Sequence, residues 1–130
     1  MRFYTKMSTI IRGATTINHN NKAEMQEATL ELYNCIVEKN ILDINEISCI
    51  IFACTKDLTC GNPATFLRLN KDEIKNIPLL SLEHHNYRGS LKKCIRILIA
   101  TNQPIKKPQH IYLRKAKKLR EDLTHDQYSN

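Results

Sequence analysis

Apolar residues recur at helical spacing over one long stretch of the chain. Between residues 22 and 39, Met25, Ala28, Leu32, Cys35 and Ile36 fall on one face, with Lys39 continuing the spacing. The pattern predicts an amphipathic helix lying on something flat. Asn21 followed three residues later by Glu24 resembles a capping box, and Glu27 adds negative charge near the N-terminal end. Most other apolar runs have strand length. Residues 8–17 carry Ile10, Ile11 and Ile17 among β-branched neighbours, with a polar loop at 18–21. Residues 47–55 are almost continuously apolar, which predicts a strand covered on both faces. Asn62-Pro63 reads as the N-cap and first position of a short helix to Leu69, and 78–82 as a short strand.

Residues 92–100 fit either period. Leu91, Cys94, Ile95 and Leu98 suit a helix; the isoleucine density and the Asn102-Gln103-Pro104 terminator favour a buried strand. Residues 110–113 read as a short strand and 115–122 as an irregular or helical basic tail. Strands alternating with one long and one short helix define an α/β or α+β class.

The chain has 130 residues, 42% hydrophobic and 25% charged, as expected of a single domain spanning 1–130 with a core at 10–123 and a polar tail at 124–130. No run approaches about 18 apolar residues, and the first six residues lack the apolar stretch of a secretory signal. A cytoplasmic protein is expected. The abundance of isoleucine, lysine and asparagine hints at an AT-rich genome, bacterial or organellar, so an organelle-encoded chain would place it in the plastid stroma instead. The five cysteines include no Cys-x-x-Cys pair, so neither a zinc site nor a redox motif is expected. Cys35, Cys49 and Cys54 are expected to be small buried hydrophobes. The adjacent pair His84-His85 could not easily share one metal ion from a strand, where the two would face opposite sides.

The net charge of +7 is unevenly distributed. Residues 1–65 hold six Lys/Arg against seven Asp/Glu, whereas 66–130 hold fourteen against six. Such asymmetry suggests an anionic partner, either a polymer or a small carboxylate. Within 106–120, seven of fifteen residues are Lys or Arg, a candidate phosphate-binding segment, but the chain lacks Trp and an RNA-binding aromatic signature on a strand. Arg12 and Arg96 are the sharper anomalies, because each sits in an apolar strand. A guanidinium there needs a carboxylate, a wet cleft or an outward-facing position. Its fork matches carboxylates bidentately. The chain has no glycine-rich phosphate loop, Gly-x-Ser-x-Gly elbow or His-x-x-x-His pair. Any catalysis would then work through positioning and electrostatics.

Four segments can now be read together: Arg12-Gly13-Ala14-Thr15-Thr16; Thr55-x-Asp57-Leu58 after an apolar strand; Gly89-Ser90-Leu91-x-x-Cys94-Ile95-Arg96; and Ile111-Tyr112-Leu113, five residues, then Leu119-Arg120-x-Asp122-Leu123. In order and spacing they resemble the trimeric chorismate mutases of the AroH class, over residues 10–123. The resemblance implies a mixed sheet of about five strands with one long helix. It also implies a strand at 92–100, a homotrimer forming a pseudo-α/β barrel, and active sites at the subunit interfaces. The implied activity is conversion of chorismate to prephenate in aromatic amino-acid biosynthesis, an intramolecular Claisen rearrangement with no cofactor and no metal. In that frame Arg96 would donate to the ether oxygen, Arg12 and Tyr112 would hold a carboxylate, and Arg68 and Arg120 would add positive field at the mouth. Leu80, Ser81 and Leu82 would contact substrate.

The chain departs from the family pattern at three points. An acidic residue is expected six positions after the strand proline and twelve before Arg96; His84 stands there, with Glu83 one residue early. Neutral His84 or a shifted Glu83 would supply the missing acceptor. Asn62 replaces an aromatic before the short helix, and Thr65 a lysine within it. The competing readings are a weakened homologue that holds chorismate-like dianions, and a nucleic-acid-binding protein using Lys115, Lys117 and Lys118. No membrane partner is implied, and nucleic acid is disfavoured.

Overall fold

The computed structural model describes residues 8–122; the polar tail at 124–130 and Leu123 lie outside the described residues. The elements run β1 (Thr9–Thr16), α1 (Lys22–Asn40), β2 (Ile47–Cys54), α2 (Pro63–Asn70), β3 (Leu79–Glu83), β4 (Cys94–Thr101) and β5 (Ile111–Tyr112). Short 3-10 turns lie at Ile44–Glu46, Asp72–Ile74 and Arg114–Arg120. The strands form one mixed sheet in the order β3-β2-β4-β1-β5. β4 pairs antiparallel with β1 and β2, while β3 and β5 add parallel edges.

Local chemistry starts both helices where expected. Asn21 Oδ1 accepts from the Glu24 N–H at 2.8 Å, and Glu24 reaches back to the Asn18 N–H at 3.1 Å rather than closing a reciprocal box on Asn21. Asn62 Oδ1 accepts from the Ala64 N–H at 2.9 Å, with Pro63 at the first position. Helix α1 ends at Ile41, whose left-handed φ of 49° turns its N–H back onto the Glu38 and Val37 carbonyls. The buried face of α1 is Met25, Ala28, Thr29, Leu32, Tyr33, Ile36 and Asn40; Lys39 is exposed because Asn40 takes the inward position and bonds Gln109 across the chain.

One face of the sheet is sealed by these helices. Ile11, Ile50, Phe52, Ile95, Ile97, Ile99 and Ile111 form a single core with the α1 residues. Each such aliphatic side chain contributes about 1.5–3 kcal/mol on full burial. Gly13 permits the close packing: a Cβ there would meet the Ile111 carbonyl at 2.8 Å and the Ile36 and Leu32 methyls at 3.0 and 3.1 Å.

Two expectations need correcting. The apolar run of β2 is covered on one face only within the subunit, leaving Ile51 and Ala53 half-buried on the other. Cys35, Cys49 and Cys54 are half-buried rather than buried, and the fully buried thiol is Cys94. The reason is register: Cys94 opens β4 opposite Thr16, beneath Tyr112 and Ala116.

Candidate active site

Strand register lines up the open face. One rung runs Leu82, Ala53, Arg96, Ala14, Tyr112 across all five strands; the next runs Leu80, Ile51, Leu98, Arg12. Arg96 is therefore flanked on both sides by alanines, whose small side chains leave room for a guanidinium and for whatever it binds. A cavity of about 250 Å³ lies there, lined by Arg12, Ala14, Ile51, Ala53, His84, Arg96, Leu98 and Tyr112 among others. Arg12, Arg96, Tyr112 and His84, four of the residues expected from the sequence, thus share one hollow.

Its electrostatics are one-sided. No carboxylate lines the cavity, and neither arginine has an ion pair among the described residues. Arg96 Nε and His84 Nδ1 are both buried without a hydrogen-bond partner among those residues. Burial, then the charge of Arg96, holds the His84 imidazole below the usual histidine range. Burial likewise raises the Cys94 thiol, although Arg96 acts in the opposite sense. Tyr112 is buried beside Ala14, Cys94 and Ala116, and the Arg114–Arg120 turn packs over that end of the sheet.

The other expected residues lie elsewhere. Glu83 belongs to β3 and faces the opposite way from Leu82 and His84; with Ser81, Leu82 and Asn62 it lines a separate hollow of about 260 Å³. The Ser81 hydroxyl donates to Asn62 Oδ1. Leu80 and Leu82 stand on the open face, about half exposed. Arg68 lines a third hollow with Asn62, Thr65, Ile77 and Leu79 on the far side of β3. Arg120 is clasped by both carboxylate oxygens of Asp122, at 3.2 and 3.1 Å, which raises its already high pKa. The basic segment is tied down: Arg114 folds back onto Glu31 and Glu27, and Ala116 is buried. Lys115, Lys117 and Lys118 remain on the surface.

Sequence reasoning missed Ala14, Ala53, Ile51 and Leu98 as lining residues, because small or apolar strand positions gain meaning only from register. It also missed His110, whose Nδ1 accepts the Arg12 backbone N–H at 3.0 Å. Among the described residues, no group of three or more His, Cys, Asp or Glu side chains is arranged to hold a metal ion.

The fold thus sets Arg12, Arg96 and Tyr112 in one hollow of a five-stranded mixed sheet, with no carboxylate lining it. A family model described as chorismate mutase type I matches residues 9–123. Curated relatives include a chorismate mutase AroH of Thermus thermophilus, 37% identical over 116 residues, covering 87% of this chain and 93% of that one. A chorismate mutase AroH of Bacillus subtilis is 31% identical over 116 residues, covering 88% and 91% respectively. Among solved structures, a chorismate mutase from Clostridium thermocellum superposes with a TM-score of 0.80 at 37% identity, covering 85% of this chain and 98% of that one. The chain belongs to the type I chorismate mutase family.

Proposed function

We propose that this member of the family converts chorismate to prephenate in a site completed between subunits of a homotrimer. Membership makes the chain an intramolecular isomerase; the residue roles and the assembly are our reading. The observation that carries it is the convergence of Arg12, Arg96, Tyr112 and His84 on one cavity that holds no carboxylate of its own. Chorismate brings two carboxylates and an ether oxygen. Arg12 and Tyr112 hold a carboxylate, so that the substrate is kept in the compact conformer needed for rearrangement. As the ether C–O bond breaks and the new C–C bond forms, negative charge develops on the oxygen. The Arg96 guanidinium donates there and stabilises the transition state more than the ground state. No proton is transferred.

The trimer is supported by the unsealed face. Ile10, Leu80 and Leu82 are 45%, 52% and 51% exposed there, where a lone subunit would leave an apolar sheet in water. A site between subunits also accommodates Arg68, which lies away from the Arg96 cavity within one chain and would approach the cavity of a neighbour. Arg120 lies near Tyr112, where it would add positive field at the mouth on exchanging Asp122 for a substrate carboxylate. No helix among the described residues is long and apolar enough to cross a membrane; we place the enzyme in the cytoplasm.

Loss of chorismate ultraviolet absorbance, followed with purified protein and with Arg96→Ala, tests the reading. Turnover that the substitution abolishes supports it; turnover unchanged by the substitution overturns the role of Arg96. A sedimentation mass of one subunit would overturn the interface site.

A further inference from the structure

We propose that Arg114 is a positioning residue: its guanidinium ties the Arg114–Arg120 turn to helix α1 through Glu31 and Glu27, and so keeps Arg120 at the mouth and Tyr112 against the carboxylate it holds. This deepens the mutase reading and rests on it. The turn follows β5 almost at once, and Arg114 enters it with a left-handed φ of 52°. That conformation suits glycine or asparagine, and another residue keeps it only where its surroundings over-determine it. Those surroundings are polar. Arg114 Nε donates to Glu31 Oε1 at 3.3 Å, Nη2 lies 3.7 Å from Glu27 Oε1, and Nη1 donates to the Thr16 carbonyl at 3.4 Å. One side chain thus joins the turn to two successive turns of α1 and to the end of β1.

Burial alone would hold the turn weakly. Ala116 is its fully buried side chain, Leu119 is half-buried, and Lys115, Lys117 and Lys118 are exposed. An alanine contributes far less on burial than a larger aliphatic side chain. Leu113 offers no side-chain cap, and the Lys115 N–H donates across to Thr16 Oγ1 at 3.2 Å instead. Five of the seven residues of the turn are Lys or Arg and repel one another. Glu27 and Glu31 answer that charge from the exposed side of α1. The turn lies where the site needs it. Ala116 and Leu119 pack with Ala14, Cys94 and Tyr112, and Arg120 is close enough to Tyr112 for their charges to interact. Arg96 stands on β4, outside the turn. A loosened turn therefore weakens substrate capture and leaves the breaking of the ether bond nearly intact.

The test reverses the charges of the pair. KM and kcat for chorismate are measured in the wild type, Glu31→Arg, Arg114→Glu and the double variant. Amide exchange at Lys115 and Ala116, whose N–H groups bond Thr16 Oγ1 and the Leu113 carbonyl, is read in parallel without substrate. Glu31→Arg should raise KM about two- to fivefold, the scale of an exposed ion pair, with kcat within about twofold. A long-range field acting on an anionic substrate predicts the opposite sign, because this variant makes the protein more positive. Arg114→Glu should also raise KM. The double variant restores the pair in reverse at unchanged net charge, so its KM should return to within about twofold of the wild type. A lower or unchanged KM in Glu31→Arg, or a double variant no better than Arg114→Glu, overturns the assignment. So does a kcat that falls with the melting temperature, which marks a purely structural contact. If the wild type forms no prephenate, the mutase reading fails separately, and exchange decides. Faster exchange in both single variants, restored in the double, supports the tie; equal exchange in all four proteins overturns it.

Discussion

The backbone N–H of Arg12 donates to the imidazole Nδ1 of His110 at 3.0 Å, joining residues 98 apart in sequence. The bond requires the neutral ring with its proton on Nε2. β5 pairs with β1 only at Gly13 and Ala14, so the side chain of His110 takes the ladder position that its short strand leaves open beside Arg12. His110 thus positions a cavity arginine without lining the cavity.

Acid should weaken the fold through the two histidines beside the site. Burial, then Arg12, then Arg120, holds His110 below the usual histidine value; burial and Arg96 do the same for His84. On acidification the unfolded chain takes up these protons first. The stabilisation is therefore complete above the unfolded pKa of about 6.5 and is lost as pH falls through the lower folded values. Urea midpoints should drop between about pH 7 and pH 5. His110→Asn, which keeps an acceptor and removes a proton site, should reduce that drop; an unchanged slope would count against His110.

Arg96→Ala should lower kcat by about 100- to 1000-fold, the scale for losing one donor at a developing oxyanion. Its melting temperature should change far less than its rate, because Arg96 has no ion pair among the described residues and its side-chain hydrogen bond goes to the Cys94 thiol, a weak partner. Parallel rate and melting measurements separate chemistry from folding. A melting point that falls with activity would make Arg96 a structural residue.

Gly13→Ala should cost about 1–3 kcal/mol, since the new Cβ would approach a backbone carbonyl that cannot rotate away. β5 is displaced first, and it carries Tyr112. KM should therefore rise alongside the lower urea midpoint; a neutral variant would mean that β5 shifts freely.

Asp57→Ala should cost about 1–3 kcal/mol by stranding donors. Asp57 accepts the Lys93 N–H at 2.9 and 3.2 Å and the Thr55 hydroxyl, while Thr55 Oγ1 accepts the buried Cys94 N–H at 3.0 Å. This clasp joins the end of β2 to the start of β4, two residues before Arg96. Hydrogen exchange at Lys93 and Cys94 should accelerate in the variant, and unchanged exchange would place the restraint elsewhere.

Much of the fold is legible along the chain because its signals are local. Asn21 and Asn62 start helices through bonds within three residues, and the isoleucines of β4 declare a strand through their own packing demand. The resemblance named Arg12, Arg96 and Tyr112 through spacing around them. The face of Glu83 was not legible: β3 could be read as ending at 82, after which a loop would absorb a one-residue slip. The Cys54–His84 backbone bond carries the alternation one residue further and places His84 beside Arg96.

By itself, then, the sequence determined the order of elements, the class of the sheet and the arginines that mark its chemistry, because caps, periodicity and motif spacing act over a few residues. Only the tertiary structure decided which side chains meet. Register across five strands sets Ala53 and Ala14 beside Arg96, His84 opposite Glu83, and His110 against Arg12. Those choices depend on backbone pairing between segments up to about a hundred residues apart, which no local pattern encodes.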